Sequence, residues 1–316
     1  MQRLSLGISS CLLGNNVRFN KGHKLSRFCR DSLGEFADFT PLCPEMAIGL
    51  GVPRPTIRLI STDRGTRVVE SDNYDHDYTE ALQSYSTETA QKLSDLDGYI
   101  LMQKSPTCGM DKVKVYQPNG YGETSGVGVF AAALKEAHPL MPLEEAGRLE
   151  DSGIRENFLI RVYLYQRLKQ LLNVPIKARQ LLDFHSDHKY LLMAHSVEAY
   201  KRLGRMLSDL KRFEPDTVKW EYAEVLMHAF AKPASRKKHT NVMQHLFGYL
   251  RELISASDKK ELLQLIEQYR TGIVPLIVPV TLLKHHFFRF PDECGYILRQ
   301  VYLQPYPETL GLRNNI

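Results

Sequence analysis

The chain has 316 residues, 43% apolar and 24% charged, the make-up of a soluble globular protein long enough for two domains. Its longest strongly apolar run, Ile273 to Leu283, is interrupted by Pro275 and Pro279 and falls far short of the roughly 20 residues that cross a bilayer, and five irregularly spaced cysteines exclude a disulfide scaffold and suit a reducing cytoplasm. The net charge of +5 hides a split: residues 1–160 carry 17 Lys+Arg against 21 Asp+Glu, whereas residues 161–316 carry 24 against 15 and eight of the eleven histidines, which suggests one part for chemistry and one for a polyanion.

In chain order, Leu4–Ser9 reads as a short apolar strand. The Ile8-Ser9-Ser10-Cys11 that follows looks superficially like a lipoprotein signal, but one basic residue and a very short apolar stretch precede it, so export is not expected. Helical spacing runs from Lys24 to Phe36, Phe39–Leu42 reads as a second strand, and Thr56–Leu59 with Val68–Glu70 as a hairpin. Thr79–Leu96 reads as an amphipathic helix, Gly98–Gln103 and Val113–Tyr116 as strands, and Gly128–Ala137 as a helix. Such alternation predicts an α/β N-terminal domain with a mainly parallel sheet. Five helical stretches follow: Glu156–Leu172, Ala178–Leu207, Thr217–Ala231, His239–Ser255 and Lys259–Tyr269, punctuated by Pro175, Pro215, Pro233 and Gly272. They predict an all-α C-terminal domain, with the boundary between residues 1–155 and 156–316 and the helix at Glu156 joining the two.

Cys11, Cys43 and Cys108 each sit at or just past the end of an expected strand, the edge where open α/β sheets place ligands. Their separations match no compact metal motif, and by themselves leave open a cluster with one vacant iron, a catalytic zinc, or three unrelated buried thiols. Their surroundings, Ser9-Ser10-Cys11-Leu12-Leu13-Gly14, Leu42-Cys43-Pro44-Glu45 and Lys104-Ser105-Pro106-Thr107-Cys108-Gly109, are tight turns, not the helices or strands that house core cysteines. Cys29 and Cys294 lie on apolar stretches and read as non-ligands.

Through Gly7–Gly14, Cys43-Pro44-Glu45, Gly49-Leu50-Gly51-Val52-Pro53-Arg54 and Lys104–Gly109, residues 1–155 resemble the thiouracil desulfidases. From about residue 180 the chain resembles the helical domain fused to some members, through Phe184–His195 and Asn241–His245, and the fused form is similar to bacterial desulfidases that remove sulfur from 4-thiouridine in tRNA. The resemblance implies a [4Fe-4S] cluster on Cys11, Cys43 and Cys108 with one iron left for the substrate's sulfur. It further implies non-redox thiocarbonyl hydrolysis, with Glu45 as base, Ser105 as hydrogen-bond donor or proton relay, and Lys104 near developing negative charge. The expected function is therefore conversion of 4-thiouridine in tRNA to uridine, with no membrane or obligate protein partner. One alternative is action on free thiouracil or thiolated nucleotides; another, of a different class, is an iron–sulfur redox-sensing regulator that binds nucleic acid.

Several residues also have plainer readings. Glu45 suits the first turn of a helix, Ser105 before Pro106 suits a turn, and Arg54 and Arg58 suit either phosphate or surface ion pairs. Gly120–Gly128 reads as a mobile loop or a phosphate-binding turn before a helix. Lys232, Arg236, Lys237 and Lys238 form one basic cluster and Lys201, Arg202, Arg205, Lys211 and Arg212 another, both suited to an RNA backbone. His185, His188 and His195 fall nearly on one helix face, which without a cysteine is a weak metal signal, and Leu246, Leu250, Leu253 and Phe288 read as core.

Overall fold

The computed structural model describes residues 2–117, 119–208 and 215–316, so Lys211 and Arg212 of the second basic cluster lie outside the described residues. Two compact units divide the chain, Met1–Glu150 and Asp151–Ile316. Among the described residues no helix is long and apolar enough to cross a membrane.

The first unit is built on β1 (Leu4–Ser9), whose side chains are buried at five of six positions, the pattern of a central parallel strand covered on both faces. It pairs in parallel with β2 (Ala37–Leu42) on one side, and β2 leads through Cys43 into the single-turn helix α1 (Pro44–Ala47). After α1 comes a hairpin of β3 (Ile57–Thr62) and β4 (Gly65–Glu70), then helix α2 (Thr79–Gln91) and β5 (Gly98–Leu101), which pairs with the other side of β1. The chain continues through β6 (Val113–Tyr116), β7 (Gly122–Gly126), helix α3 (Val129–Ala137) and β8 (Leu143–Glu145). One sheet, ordered β2-β1-β5-β8, is wholly parallel. A second, ordered β4-β3-β6-β7, has its two outer pairings antiparallel and only β3 with β6 parallel. The N-terminal unit is thus α/β with a parallel principal sheet, joined by a mixed sheet that alternation alone did not reveal. Leu59, Val68, Leu82, Val113 and Val115 form a buried cluster between the mixed sheet and α2.

Three elements depart from those expected. The stretch after Lys24 forms only a short π-helical turn at Phe28–Ser32 and a 3-10 turn at Leu33–Glu35, because the Lys24 and Ser26 amides donate to Cys11 and Leu12 carbonyls and hold the chain against the first cysteine turn. α2 ends at Gln91, where the N–H groups of Lys92 and Leu93 tighten onto carbonyls three residues back. Gly120–Gly128, expected as a loop, instead contains β7, paired antiparallel with β6.

The second unit is all-helical: α4 (Ser152–Leu172), α5 (Ala178–His195), α6 (Val197–Ser208), α7 (Pro215–Ala229), α8 (Arg236–Leu250), α9 (Ala256–Arg270), α10 (Ile277–Arg289) and α11 (Pro291–Leu298). The Asp151 carboxylate starts α4 by accepting the Ile154 amide at 2.9 Å. The single helix expected over Ala178–Leu207 is broken at Ser196, which turns to extended backbone and caps α6 by accepting the Ala199 amide at 3.1 Å. Leu246 and Leu250 are fully buried as expected, but Phe288 is 64% exposed and is not core.

Three of the C-terminal histidines, His185, His188 and His195, are internal polar anchors. His195 shares its ring nitrogens between the Leu191 carbonyl and the Asn157 side chain, His188 bonds the Phe184 carbonyl, and His185 faces the Tyr222 hydroxyl. Burial pushes His185 and His195 down to about 4 and His188 to about 3, so mild acid leaves these three rings uncharged.

Candidate functional site

The parallel sheet brings the three cysteines together. β1 ends at Ser9 and passes into a 3-10 turn, Ser10–Leu13, holding Cys11 and closed by Gly14 at φ 95°, a conformation that suits glycine. β2 ends one residue before Cys43, which precedes α1 with Pro44 at the first helical position. β5 leads into the Lys104–Gly109 loop that carries Cys108. All three cysteines, with Glu45, Arg54, Lys104, Ser105 and Thr107, line one cavity of about 450 Å³, within the roughly 300–1,000 Å³ of small-molecule sites.

The thiols sit in each other's field. Burial pushes Cys11 up to about 11, with the charge of Cys43 adding to it, and pushes Cys108 up to about 12 against the Ser9 and Thr107 hydroxyls. Burial raises Cys43 too, opposed by the N–H groups of Met46 and Glu45. Arg18 offsets part of this for Cys11 and Arg54 for Cys43, and three soft sulfur donors on one cavity suit iron–sulfur chemistry. Among the described residues no three His, Cys, Asp or Glu side chains are gathered closely enough to grip a single metal ion. Cys29 and Cys294 are buried away from the cavity lining, Cys29 in the π-helical turn and Cys294 on α11.

Glu45 is held by residues whose part was not apparent in the sequence. Arg54, expected at the surface or on a phosphate, has a side chain only 4% exposed and donates to Glu45 Oε2 through Nη2 at 2.5 Å and Nε at 3.1 Å. The other carboxylate oxygen accepts from the Thr107 hydroxyl at 2.9 Å. Thr107 Oγ1 lies 2.9 Å from Ser105 Oγ, and that oxygen accepts the Thr107 and Cys108 amides at 3.2 and 3.1 Å. The Glu45 carboxylate is thus engaged with two side chains and does not serve the helix end. The signal for Thr107 was its place beside a candidate ligand; that for Arg54 was its place in the Gly49–Arg54 motif, which did not reveal its partner.

The Gly120–Gly128 segment serves the cysteine loop. The first amides of α3 and the one before it, where a phosphate would bind, are already engaged: Gly128 N donates to Gly109 O at 2.8 Å, Phe130 N to Thr107 O at 2.8 Å and Val129 N to Pro106 O at 3.2 Å. Gly128 is required by proximity, because a Cβ there would meet the Thr107 carbonyl carbon at 2.6 Å.

A second cavity, of about 520 Å³, shares Thr56, Ile57, Lys104 and Pro106 with the thiol cavity. Its lining includes Arg58, Lys104, Lys112 and Lys114 and no carboxylate. The Arg58 guanidinium lies 4.5 Å from the Tyr116 ring centroid, and its Nε is buried without a hydrogen-bond partner. Lys104 and Lys112 both have left-handed backbones, with φ 58° and 52°, a strained arrangement for residues other than glycine.

In the helical unit, three of the expected RNA contacts also have internal partners: Lys238 donates to the His195 carbonyl at 2.5 Å, Arg236 to the Tyr269 carbonyl at 3.1 Å, and Arg202 pairs with Glu221 at 3.3 Å. Lys201, Arg205, Lys232 and Lys237 are exposed.

A parallel-sheet unit with three thiols and a clamped carboxylate on one cavity, followed by an all-helical unit, defines the class. The family described as 2-thiouracil desulfurase matches residues 6–146, and the family described as Protein of unknown function (DUF1722) matches residues 189–307. The Uncharacterized protein YbgA of Escherichia coli (strain K12) is 30% identical over 161 residues, 51% of this chain and 94% of that protein. A solved structure titled a [4Fe-4S]-dependent thiouracil desulfidase, TudS, is 26% identical over 48% of this chain and 94% of its own, with a TM-score of 0.37. The chain belongs to the thiouracil desulfidase-like family fused to a C-terminal DUF1722 helical domain.

Proposed function

We propose that the N-terminal unit is a desulfidase that replaces the thiocarbonyl sulfur of a thiolated pyrimidine, as thiouracil or its nucleotide, with oxygen and releases sulfide. The observation that carries this reading is the single cavity joining Cys11, Cys43, Cys108, Glu45, Ser105 and Lys104, in a segment matched by the 2-thiouracil desulfurase family. The three cysteines would hold a [4Fe-4S] cluster, whose iron without a protein ligand supplies a Lewis acid for sulfur. Glu45 takes the proton of the water that adds to the thiocarbonyl carbon, and Lys104, lining the cavity, steadies the negative charge that develops. Thr107, within reach of both the Ser105 oxygen and the carboxylate, links the two, so the proton taken up by Glu45 can move through Thr107 to Ser105 and on to the substrate, each hydroxyl regaining the proton it gives. The carboxylate-free basic cavity next door favours a substrate carrying phosphate, a nucleotide over the free base.

A second reading, 4-thiouridine within tRNA, draws on a further cavity that shares Lys24, Met102 and Gln103 with the thiol site and is also lined by His23 and Arg27. Basic groups flanking the thiol cavity suit the phosphates on either side of an extruded nucleotide, and the excess of basic residues beyond residue 160 suits the rest of an RNA.

The test is anaerobic turnover by iron-loaded protein of 4-thiouracil, 4-thiouridine monophosphate and thiolated tRNA, followed by loss of near-ultraviolet thiocarbonyl absorbance and by sulfide release. Glu45→Ala is expected to keep its iron and lose turnover. Absence of sulfide from all three substrates at full iron content would refute the enzyme reading and favour a redox-sensing regulator; turnover of tRNA alone would select the second reading.

A further inference from the structure

We propose that Arg54 and Thr107 are positioning residues that lock the Glu45 carboxylate in one orientation at the thiol cavity, each gripping a different oxygen; the inference rests on Glu45 being the base of the reading above. Arg54 puts two of its five N–H groups on Oε2 and spends the other three nearby, Nη1 on Gly51 O at 2.7 Å and the Met46 sulfur at 3.6 Å, and Nη2 on Val17 O at 2.9 Å. The fork is therefore fixed on three sides by backbone and carboxylate, in a geometry that a lysine ammonium does not reproduce.

The hydroxyl order on the opposite oxygen follows from counting donors. Ser105 Oγ accepts two amides, which fills its lone pairs and directs its own proton to Thr107 Oγ1 at 2.9 Å. Thr107 then has its single proton for Glu45 Oε1 at 2.9 Å, the nearer acceptor, in preference to the Cys108 sulfur at 3.6 Å. An ionised carboxylate offers about four acceptor positions; the two Arg54 N–H groups fill Oε2 and Thr107 takes one position on Oε1. The position left open is on Oε1, so a water or a substrate N–H is received at that oxygen and not at Oε2. Loss of either grip lets the carboxyl turn, and a misplacement of about 1 Å is enough to cost on the order of 100-fold in rate.

The experiment compares Arg54→Lys, Thr107→Val and Thr107→Ser with wild type at equal iron content, measuring kcat and KM for the thiolated substrate and the Glu45 rotamer in a crystal structure of each variant. Arg54→Lys and Thr107→Val are expected to lower kcat about 10- to 100-fold with KM within about twofold and a turned carboxyl, and Thr107→Ser to restore kcat and rotamer. Wild-type kcat in Thr107→Val, or a Thr107→Ser as slow as Thr107→Val, overturns the proposal. So does an unmoved Glu45 in both Arg54→Lys and Thr107→Val, which marks a stabilising ion pair only. If wild type itself releases no sulfide, the functional reading fails, while the rotamers still decide the positioning. Should Thr107→Val not hold iron, Arg54→Lys decides by the same two readouts.

Discussion

Replacing Arg58 by alanine is expected to separate nucleotide from free base. Arg58 is half-buried, stacked 4.5 Å from the Tyr116 centroid, with a buried Nε that lacks a partner, so it is preorganised to meet an anion. A hydrogen bond from such a cation to phosphate is worth about 1.5–3 kcal/mol, and each 1.4 kcal/mol is about tenfold, so KM for 4-thiouridine monophosphate should rise about 10- to 150-fold. Lys112 and Lys114 are exposed, and exposed ion pairs are worth at most about 1 kcal/mol, so alanine at either should raise KM no more than about fivefold. For 4-thiouracil, which has no phosphate, KM should stay within about twofold in every variant. The assay is initial-rate desulfuration of both substrates at low and high salt, the nucleotide's advantage shrinking as salt screens the cavity. Equal rises for both substrates, or none for the nucleotide, would refute the assignment of the basic cavity to phosphate, and thermal melting of each variant separates this from loss of the Tyr116 contact.

Iron loading should depend steeply on pH. With Cys11 pushed up to about 11 and Cys108 to about 12, the metal-free thiols are protonated near neutrality, and iron must displace those protons. Affinity should therefore climb as pH rises from 6 to 9, by up to about three powers of ten per pH unit if all three protons leave together; an anaerobic iron titration with no pH slope contradicts this. Gly128→Ala drives a Cβ to 2.6 Å from the Thr107 carbonyl carbon and 2.8 Å from the Cys108 amide, backbone atoms that cannot rotate aside. A loss of about 1–3 kcal/mol and reduced iron content are expected, and normal iron content with an unchanged urea midpoint would count against the close approach. In the helical unit, Arg313 and Glu156 form an ion pair with side chains 4% and 6% exposed. Arg313→Met should cost about 3–5 kcal/mol in urea unfolding by leaving the carboxylate buried without a countercharge, with only the Tyr306 hydroxyl to bond it, and adding Glu156→Gln should recover part of it; additive losses would show that the pair is not coupled.

Chain order and local chemistry determined much of this protein. The three cysteine turns are written in Gly, Pro and Ser within a few residues of each thiol, β1 in the alternation of Leu4, Leu6 and Ile8 with small residues, and the change from α/β to all-helical in the period of the apolar residues. The comparisons placed the two halves in the same desulfidase-like and helical families. What the sequence did not show lies in long-range partners. Glu45 and Thr107 are 62 positions apart, and Arg54 reads as a phosphate ligand or a surface cation until folding buries it against Glu45, Gly51 and Val17. Gly-rich composition made Gly120–Gly128 look like a loop because its pairing with β6 and its contact with the cysteine turn depend on residues outside the segment. Phe288 shows the same limit in reverse: an apolar residue among apolar neighbours faces outward because its position on α10 falls off the buried stripe of Val280, Leu283 and Phe287. Turn and strand-end preferences act over a few residues and survive in a linear string; burial, charge pairing and the orientation of a carboxylate are set by atoms that only the folded chain brings within 3 Å.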